Sequence, residues 1–410
     1  MAAREAVLVS AVRTPIGRAP RGVLRATRPD ELAALVITQA LARAPGLTAD
    51  EVGDVILGCA MPEAEQGLNV ARIASLRAGL PVTASAMTVN RFCASGLEAI
   101  AIAVDRVRRG AADVIIAGGT ESMSLIPMGG HHVAPNPWLI AHYPDAYLTT
   151  GLVAENHARE RGIAREAQDA FALESHRRAV AAQQAGRFAE EIVPVEIAVE
   201  EDDARATGAA RAGESGGAGR RGERPAFRTV IVDRDEGPRP DTSAEALAAL
   251  RPAFRDDGTV TAGNASQTSD GAAAVVVTTA ERAARAGLTP LARITEYVTV
   301  GVEPERFGLG PVPAVRTLLA RTGLSLADID LVELNEAFAA QVLACQQDLA
   351  IDPARLNVNG GAIALGHPLG CTGARLATTL VYELRRRNAA RGLVTACVGG
   401  GMGVAALFER

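Results

Sequence analysis

Three glycine-rich bends and one strand end carry the groups that can do chemistry in this chain. Cys93 stands in Asn90-Arg91-Phe92-Cys93-Ala94-Ser95-Gly96. Just after it Leu97, Ile100, Ala101, Val104 and Val107 recur at steps of three and four, the spacing of an amphipathic helix. A free thiol, with a pKa of ~8.5, is only a few per cent ionised at neutral pH. The unpaired N–H groups and positive dipole end of a helix N-terminus favour the thiolate. Cys93 is therefore a candidate nucleophile; the alternative is a buried structural cysteine. His367 lies in the glycine-dense run from Asn359 to Gly373, ahead of a second helix. Its type suits it to take a thiol proton; a structural or solvated histidine is the alternative. Cys397 opens Cys397-Val398-Gly399-Gly400-Gly401-Met402-Gly403 after an apolar strand. Open α/β sheets bind ligands at such strand ends, and the glycine N–H groups can line an oxyanion hole. A phosphate cradle is the rival reading, but no Lys follows the glycines. Asn335-Glu336-Ala337-Phe338, after Val332-Glu333-Leu334, marks either a site edge or a helix N-cap at Asn335.

These bends need elements to hold them, and the sequence supplies those twice. Val55-Ile56-Leu57 after Gly46-Leu47-Thr48 is matched by Val332-Glu333-Leu334 after Gly323-Leu324-Ser325 at the same spacing. Val89-Asn90 corresponds to Val358-Asn359, the helix ending at Arg108-Arg109-Gly110 to one ending at Arg385-Arg386-Arg387, and the strand Val114–Ala117 to Leu393–Ala396. Alternating strands and helices in both halves predict two similar α/β layers facing each other; two unrelated α/β halves are the alternative. A helix capped by Asp30 is expected through about Ala44. Between the halves the character changes. Residues Pro127 to Pro144 read as loop, Glu155 to Gln184 as a polar helical stretch, and Glu200 to Pro225 as a low-complexity surface segment. The expected division is 1–123 as the N-terminal half, 124–267 as an inserted lid, 268–289 as the end of the N-terminal half, and 290–410 as the C-terminal half.

The 410 residues exceed one ordinary domain, and 48% apolar with 22% charged residues is a globular balance. A net charge of −5 argues against phosphate-driven nucleic-acid binding. All 42 basic residues are Arg, which excludes lysine Schiff-base chemistry. No apolar run approaches the ~18 residues of a membrane span. The start has no apolar signal core, and five scattered cysteines suit a reducing compartment, so a cytoplasmic protein is expected, with no metal site.

Taken together, the bends resemble the thiolase family. The resemblance rests on NRFCASG (Asn90–Gly96), NEAFAAQ (Asn335–Gln341), GGAIALGHPLGCTGAR (Gly360–Arg375) and CVGGGMG (Cys397–Gly403). SAVRTPIG (Ser10–Gly17) and TAGNASQTSDGAAA (Thr261–Ala274) support it. It covers nearly the whole chain and is poorest around 201–225. It implies two βαβαβαββ units in a five-layered α/β/α/β/α core with an inserted loop domain. It also implies that Cys93 takes the acyl group, that His367 deprotonates it, and that Cys397 is the second acid/base. Asn335 would hold a water that, with His367, stabilises one oxyanion, and the N–H groups of Cys93 and Gly399 would hold the other. For coenzyme A, the co-substrate, it implies Arg239, Ser266, Ala337 and Phe338, with no tightly bound cofactor.

The same resemblance implies acyl-CoA and CoA as ligands and a homodimer or homotetramer. A hydratase–dehydrogenase chain of β-oxidation is a further expected partner. Thr149-Thr150 stands where short-chain members carry a His-Met pair, which leans the reading toward thiolytic cleavage of 3-ketoacyl-CoA. Biosynthetic acetoacetyl-CoA formation is the alternative, and a non-catalytic CoA-binding subunit a more distant one. His131 and His132 are expected in a surface loop without a role.

Overall fold

The computed structural model describes residues 4–200, 210–212 and 227–410. The chain starts with β1 (Ala6–Arg13) and β2 (Gly17–Arg18). It continues through α1 (Pro29–Ala42), β3 (Val52–Gly58), α2 (Val70–Arg77), β4 (Ser85–Val89), α3 (Ser95–Arg108) and β5 (Val114–Ser122). An inserted region follows. It carries α4 (Pro137–His142), α5 (Thr150–Glu160), α6 (Arg165–Gln184), the small antiparallel sheet β6 (Val195–Glu200), β7 (Ala210–Ala212) and β8 (Phe227–Val232), and then α7 (Ala244–Ala248). The chain returns to the first sheet at β9 (Ser269–Thr279), followed by α8 (Ala280–Arg285). The second half is β10 (Arg293–Gly301), α9 (Pro311–Thr322), β11 (Leu331–Leu334), α10 (Ala339–Leu349), α11 (Ala362–Leu365), α12 (Leu369–Arg387), β12 (Arg391–Val398) and β13 (Met402–Glu409).

The two large sheets repeat one plan. The first runs β1-β9-β5-β3-β4, antiparallel to β5 and parallel beyond it. The second runs β10-β13-β12-β11, again antiparallel and then parallel, with Leu356 bridging to Val332 where the first sheet has β4. What is a turn between β12 and β13 is, between β5 and β9, the entire inserted region. The strands explain the burial. Every residue of β5 and β9 is buried, and Ala272–Val277 is a continuous apolar run with helices on both faces. Five layers result. α1 and α2 cover the outer face of the first sheet, α9 and α10 that of the second. α3 and α12 lie between the sheets, sharing one core with Ile115, Val275, Val394 and Phe408.

The contact between α3 and α12 fixes the centre of the molecule, and glycine makes it. A Cβ on Gly96 would stand 2.8 Å from the Ala374 nitrogen, and one on Gly373 would stand 2.4 Å from the Leu97 nitrogen. A Cβ on Gly119, in β5, would stand 2.0 Å from the Gly370 oxygen. The N-terminal ends of both central helices thus meet, two residues beyond Cys93 and His367.

Three local expectations differ from the structure. α1 begins at Pro29 rather than being capped by Asp30, since proline is preset for the first helical position. The 127–144 segment is not all loop: the Asn136 side chain caps α4 by accepting from the N–H groups of Trp138 and Leu139. The helical stretch after 150 is two helices, parted at Gly162 with φ +61°. Of the 200–225 segment, all but Glu200 and residues 210–212 lie outside the described residues. Among the described residues no helix is long and apolar enough to cross a membrane.

Candidate active site

Cys93 sits in a strained turn built by its neighbours. Phe92 is left-handed at φ +41°, an unusual state for a bulky residue. Asn90 holds it by accepting the Phe92 N–H at 2.9 Å and donating to the Ala60 oxygen at 2.9 Å. The Ser95 hydroxyl donates to the Phe92 oxygen at 2.7 Å and accepts the Arg91 N–H at 2.8 Å. Cys93 as a residue is 7% exposed. Burial pushes its thiol up to about 11, opposed by its own N–H and the Gly399 N–H. The helix end was expected to favour the thiolate; the donors that act on it are instead the Cys93 and Gly399 N–H groups, and desolvation outweighs them.

The Gly399 contact joins the third bend to the first. Val398 pairs with Met402 across the β12–β13 turn, and Gly400 and Gly401 take φ +80° and +91°. A Cβ on Gly401 would stand 2.3 Å from the Val302 oxygen. Cys397 is fully buried, and its thiol is pushed well up, first by burial and then by the Cys93 charge, so the two sulfurs are in electrostatic reach.

His367 is fixed on every side. Its N–H donates to the Gln267 oxygen and to Ser269 Oγ, both at 3.0 Å. Nδ1 lies 2.6 Å from Thr372 Oγ1, and Nε2 lies 3.3 Å from Asn335 Nδ2. Burial, then the Arg375 charge, lowers the imidazole to about 3. At rest Cys93 is accordingly a thiol and His367 a neutral imidazole. Asn335 is no helix cap, for α10 starts at Ala339 with Phe338 in the cap position. Its N–H donates to the Thr395 oxygen at 3.0 Å, while its buried Oδ1 has no protein partner. Glu336 ties this strand end to the glycine loop, accepting from Ser175 Oγ at 2.6 Å, Asn357 Nδ2 at 2.8 Å and the Ile363 N–H at 3.2 Å.

The residues expected to hold coenzyme A are partly gathered. The Ser266 N–H donates to the Ala337 oxygen at 2.9 Å, and Ala265 bridges to Phe338. Ala337 and Phe338 share an apolar cluster with Cys397. Phe338 meets Phe254 edge-on, with ring centroids 6.0 Å apart. Arg239 is exposed ahead of α7, its N–H donating to His176 Nδ1 at 3.1 Å; the bonds joining Ser266 to the 337–338 segment do not include it. His131 and His132 are exposed, as expected.

One group beside the site escaped the sequence reading. Glu121, fully buried at the end of β5, accepts the N–H groups of Ala60 at 2.7 Å, Met61 at 3.2 Å and Gly370 at 2.7 Å, and Gln66 Nε2 at 2.5 Å. With donors alone around it, this carboxyl is an ionised acceptor, although burial raises its pKa. It anchors the start of α12 to the end of β3. The signal for it was a lone carboxylate near the end of an otherwise uncharged strand.

Residues 6–281 match the family of the thiolase N-terminal domain, and residues 288–410 that of the thiolase C-terminal domain. A 3-ketoacyl-CoA thiolase of Bacillus subtilis (strain 168) is 50% identical over 406 residues, 99% of each chain. An acetyl-CoA acetyltransferase of Paracoccus denitrificans is 45% identical over 418 residues, again 99% of each. The crystal structure of the Bacillus anthracis acetyl-CoA acetyltransferase is similar with a TM-score of 0.85 at 40% identity, covering 100% of this chain and 99% of that one.

Proposed function

The chain belongs to the thiolase family, and on that premise we propose that Cys93, His367, Cys397 and Asn335 are its catalytic residues. The enzyme is an acyltransferase that cleaves 3-ketoacyl-CoA with CoA to acetyl-CoA and a shortened acyl-CoA. The condensation is the same chemistry reversed. The observation that carries the assignment of roles is the meeting of the bends: His367 Nε2 stands 3.3 Å from Asn335 Nδ2, Cys397 feels the Cys93 charge, and the Cys93 and Gly399 N–H groups act on the Cys93 sulfur. When that sulfur is acylated, the same donors are available to the thioester oxygen. Each such donor is worth ~3 kcal/mol in the transition state.

The proton inventory closes with these groups. His367 takes the Cys93 proton as the sulfur bonds to the 3-keto carbon, since the buried neutral pair disfavours a standing thiolate. The carbon–carbon bond breaks, and its electron pair leaves as the acetyl-CoA enolate, which takes a proton from Cys397. The CoA thiol then attacks the Cys93 thioester. Its proton passes to the Cys397 thiolate, and the released Cys93 sulfur regains the proton held by His367. Asn335, with its free Oδ1, positions a water that stabilises the enolate oxygen together with His367. Ser266, Ala337 and Phe338 hold the pantetheine arm near Cys397, and Arg239 holds the adenine end.

Residues 1–123 with 268–289, and 290–410, act as the two halves and 124–267 as a lid. Thr149-Thr150, at the start of α5, leaves the acyl pocket open to chains longer than acetoacetyl. The protein works in the cytoplasm as a dimer or tetramer. Leu68, 91% exposed, with Ile73, Leu76 and Val82 beside the terminal strand β4, supports self-association. A panel of 3-ketoacyl-CoA substrates of graded length, with CoA, tests this reading through loss of enolate absorbance. Cleavage is expected at every length, fastest above the four-carbon substrate. Cleavage of none would overturn it.

A further inference from the structure

We propose that Thr372 is a positioning residue: its hydroxyl fixes the tautomer and tilt of His367, so that Nε2 carries the lone pair that receives the Cys93 proton. The proposal rests on the reading of Cys93 and His367 as nucleophile and base. Thr372 is fully buried in the first turn of α12, five residues after His367. Its hydroxyl donates to the Pro368 oxygen at 2.9 Å, the carbonyl four residues back. That is an ordinary resting place for a threonine hydroxyl in a helix, and its single proton is then used. The contact with His367 Nδ1 at 2.6 Å is therefore Nδ1–H donating to Oγ1.

The opposite side of the ring agrees. The nearest protein polar atom to Nε2 is the Asn335 amide nitrogen at 3.3 Å, which offers no acceptor to hold a proton there. The backbone of His367 is held independently by Gln267 and Ser269, so the ring's remaining freedom is its rotation and its proton. Thr372 settles both. When Nε2 takes the thiol proton, the same hydroxyl accepts from the imidazolium, a stronger hydrogen bond than from the neutral ring. Without it, a buried Nδ1–H is orphaned and the tautomer with hydrogen on Nε2 takes over, which cannot act as the base.

The test is the rate of acyl-enzyme formation at Cys93, measured by rapid quench and intact mass with acetoacetyl-CoA across pH. T372V is nearly isosteric and removes the hydroxyl; T372A removes it and leaves a small void; T372S keeps it. T372V and T372A are expected to acylate about ten- to a hundredfold more slowly at neutral pH. Their rates should rise with pH as the thiolate fraction rises, while melting temperatures stay close to the parent. T372S is expected within about threefold of the parent, with the parent's pH profile. Parent-like or faster acylation in T372V and T372A would overturn the proposal, since a hydroxyl donating to Nδ1 holds the opposite tautomer and its loss would free the base. Equal loss in T372S would also overturn it. His367→Ala runs alongside. If that variant is slow while T372V is not, only the positioning role fails; if His367→Ala acylates like the parent, the underlying reading of the base fails with it.

Discussion

Glu121→Gln tests whether a carboxylate at the end of β5 ties the start of α12 to the end of β3. The carboxylate presents Oε1 to the Met61 N–H and Gln66 Nε2, and Oε2 to the N–H groups of Ala60 and Gly370. A glutamine has one oxygen. Whichever way the new amide turns, its NH2 meets two donors and two hydrogen bonds are lost. Turned toward Gln66, it can recover one by flipping that side chain. The flip breaks the Gln66 bonds to the Met61 oxygen and the Ser122 N–H. Hydrogen bonds to a charged acceptor contribute ~1.5–3 kcal/mol each. Two give about 3–6 kcal/mol, and removal of a buried charge from a desolvated site moves the net toward the lower end. A loss of about 3 kcal/mol is large beside the ~5–15 kcal/mol that typically separates a folded protein from its unfolded chain. The substitution has a second, opposite effect. Burial first, and the Glu121 charge in smaller part, hold the Cys93 thiol up, so the variant's thiol titrates below the parent value of about 11. Urea unfolding followed by circular dichroism reads the first effect. The pH dependence of iodoacetamide alkylation, mapped to the Cys93 peptide, reads the second. An unchanged unfolding midpoint together with an unmoved or raised alkylation midpoint would refute the reasoning.

Further expectations concern the turn, the second thiol and acid. Gly399→Ala should keep activity within about threefold, because its Cβ meets only the Phe92 ring at 3.9 Å and the N–H stays. Gly401→Ala, at φ +91° against the Val302 oxygen, should lose ~1–2 kcal/mol from backbone strain before its contact is counted, read as a lowered melting temperature. Cys397→Ala should still acylate at Cys93 but exchange the α-protons of acetyl-CoA into deuterated water at least about a hundredfold more slowly, followed by NMR; parent-like exchange would remove its role. Burial lowers His157 and His176 to about 4 and His367 to about 3, all from 6.5. The unfolded chain therefore binds protons that the folded protein refuses. The stability these residues contribute is complete above about pH 6.5 and is lost as pH falls toward 4 and 3, at ~1.4 kcal/mol per unit for each. His157→Leu should flatten that loss by one proton. It should also raise stability at neutral pH, since both ring nitrogens are buried without partners. Urea midpoints at pH 7, 5.5 and 4.5 check both signs.

The sequence showed the fold largely through its repetition. Val55–Leu57 and Val332–Leu334 do lie in equivalent strands, and the runs after Cys93 and His367 are the two central helices. Cys93, Cys397 and Asn335 stood out because glycine or a strand end isolates them, and those features are local. What the sequence hid is non-local. Desolvation of Cys93 depends on a core assembled from both halves, so the helix end alone predicted the wrong direction for its acidity. Glu121 meets Gly370 across 249 positions, and no periodicity marks such a contact. Thr372 looked like one more small residue in a glycine-rich run until the helix turned its hydroxyl back toward the imidazole. The short helix α4 is a different case: Asn136 followed by Pro137 is a cap and first-turn signal that could have been read.

The most direct test of the account is where the acyl group goes. Incubation with acetoacetyl-CoA without added CoA, acid quench and peptide mapping should find one acetyl group per chain, on Cys93. It should vanish in Cys93→Ala and, in Cys397→Ala, which lacks the acid for the departing enolate, form more slowly but still on Cys93. An acetyl group on any other residue, or one that survives loss of the Cys93 sulfur, would contradict the account.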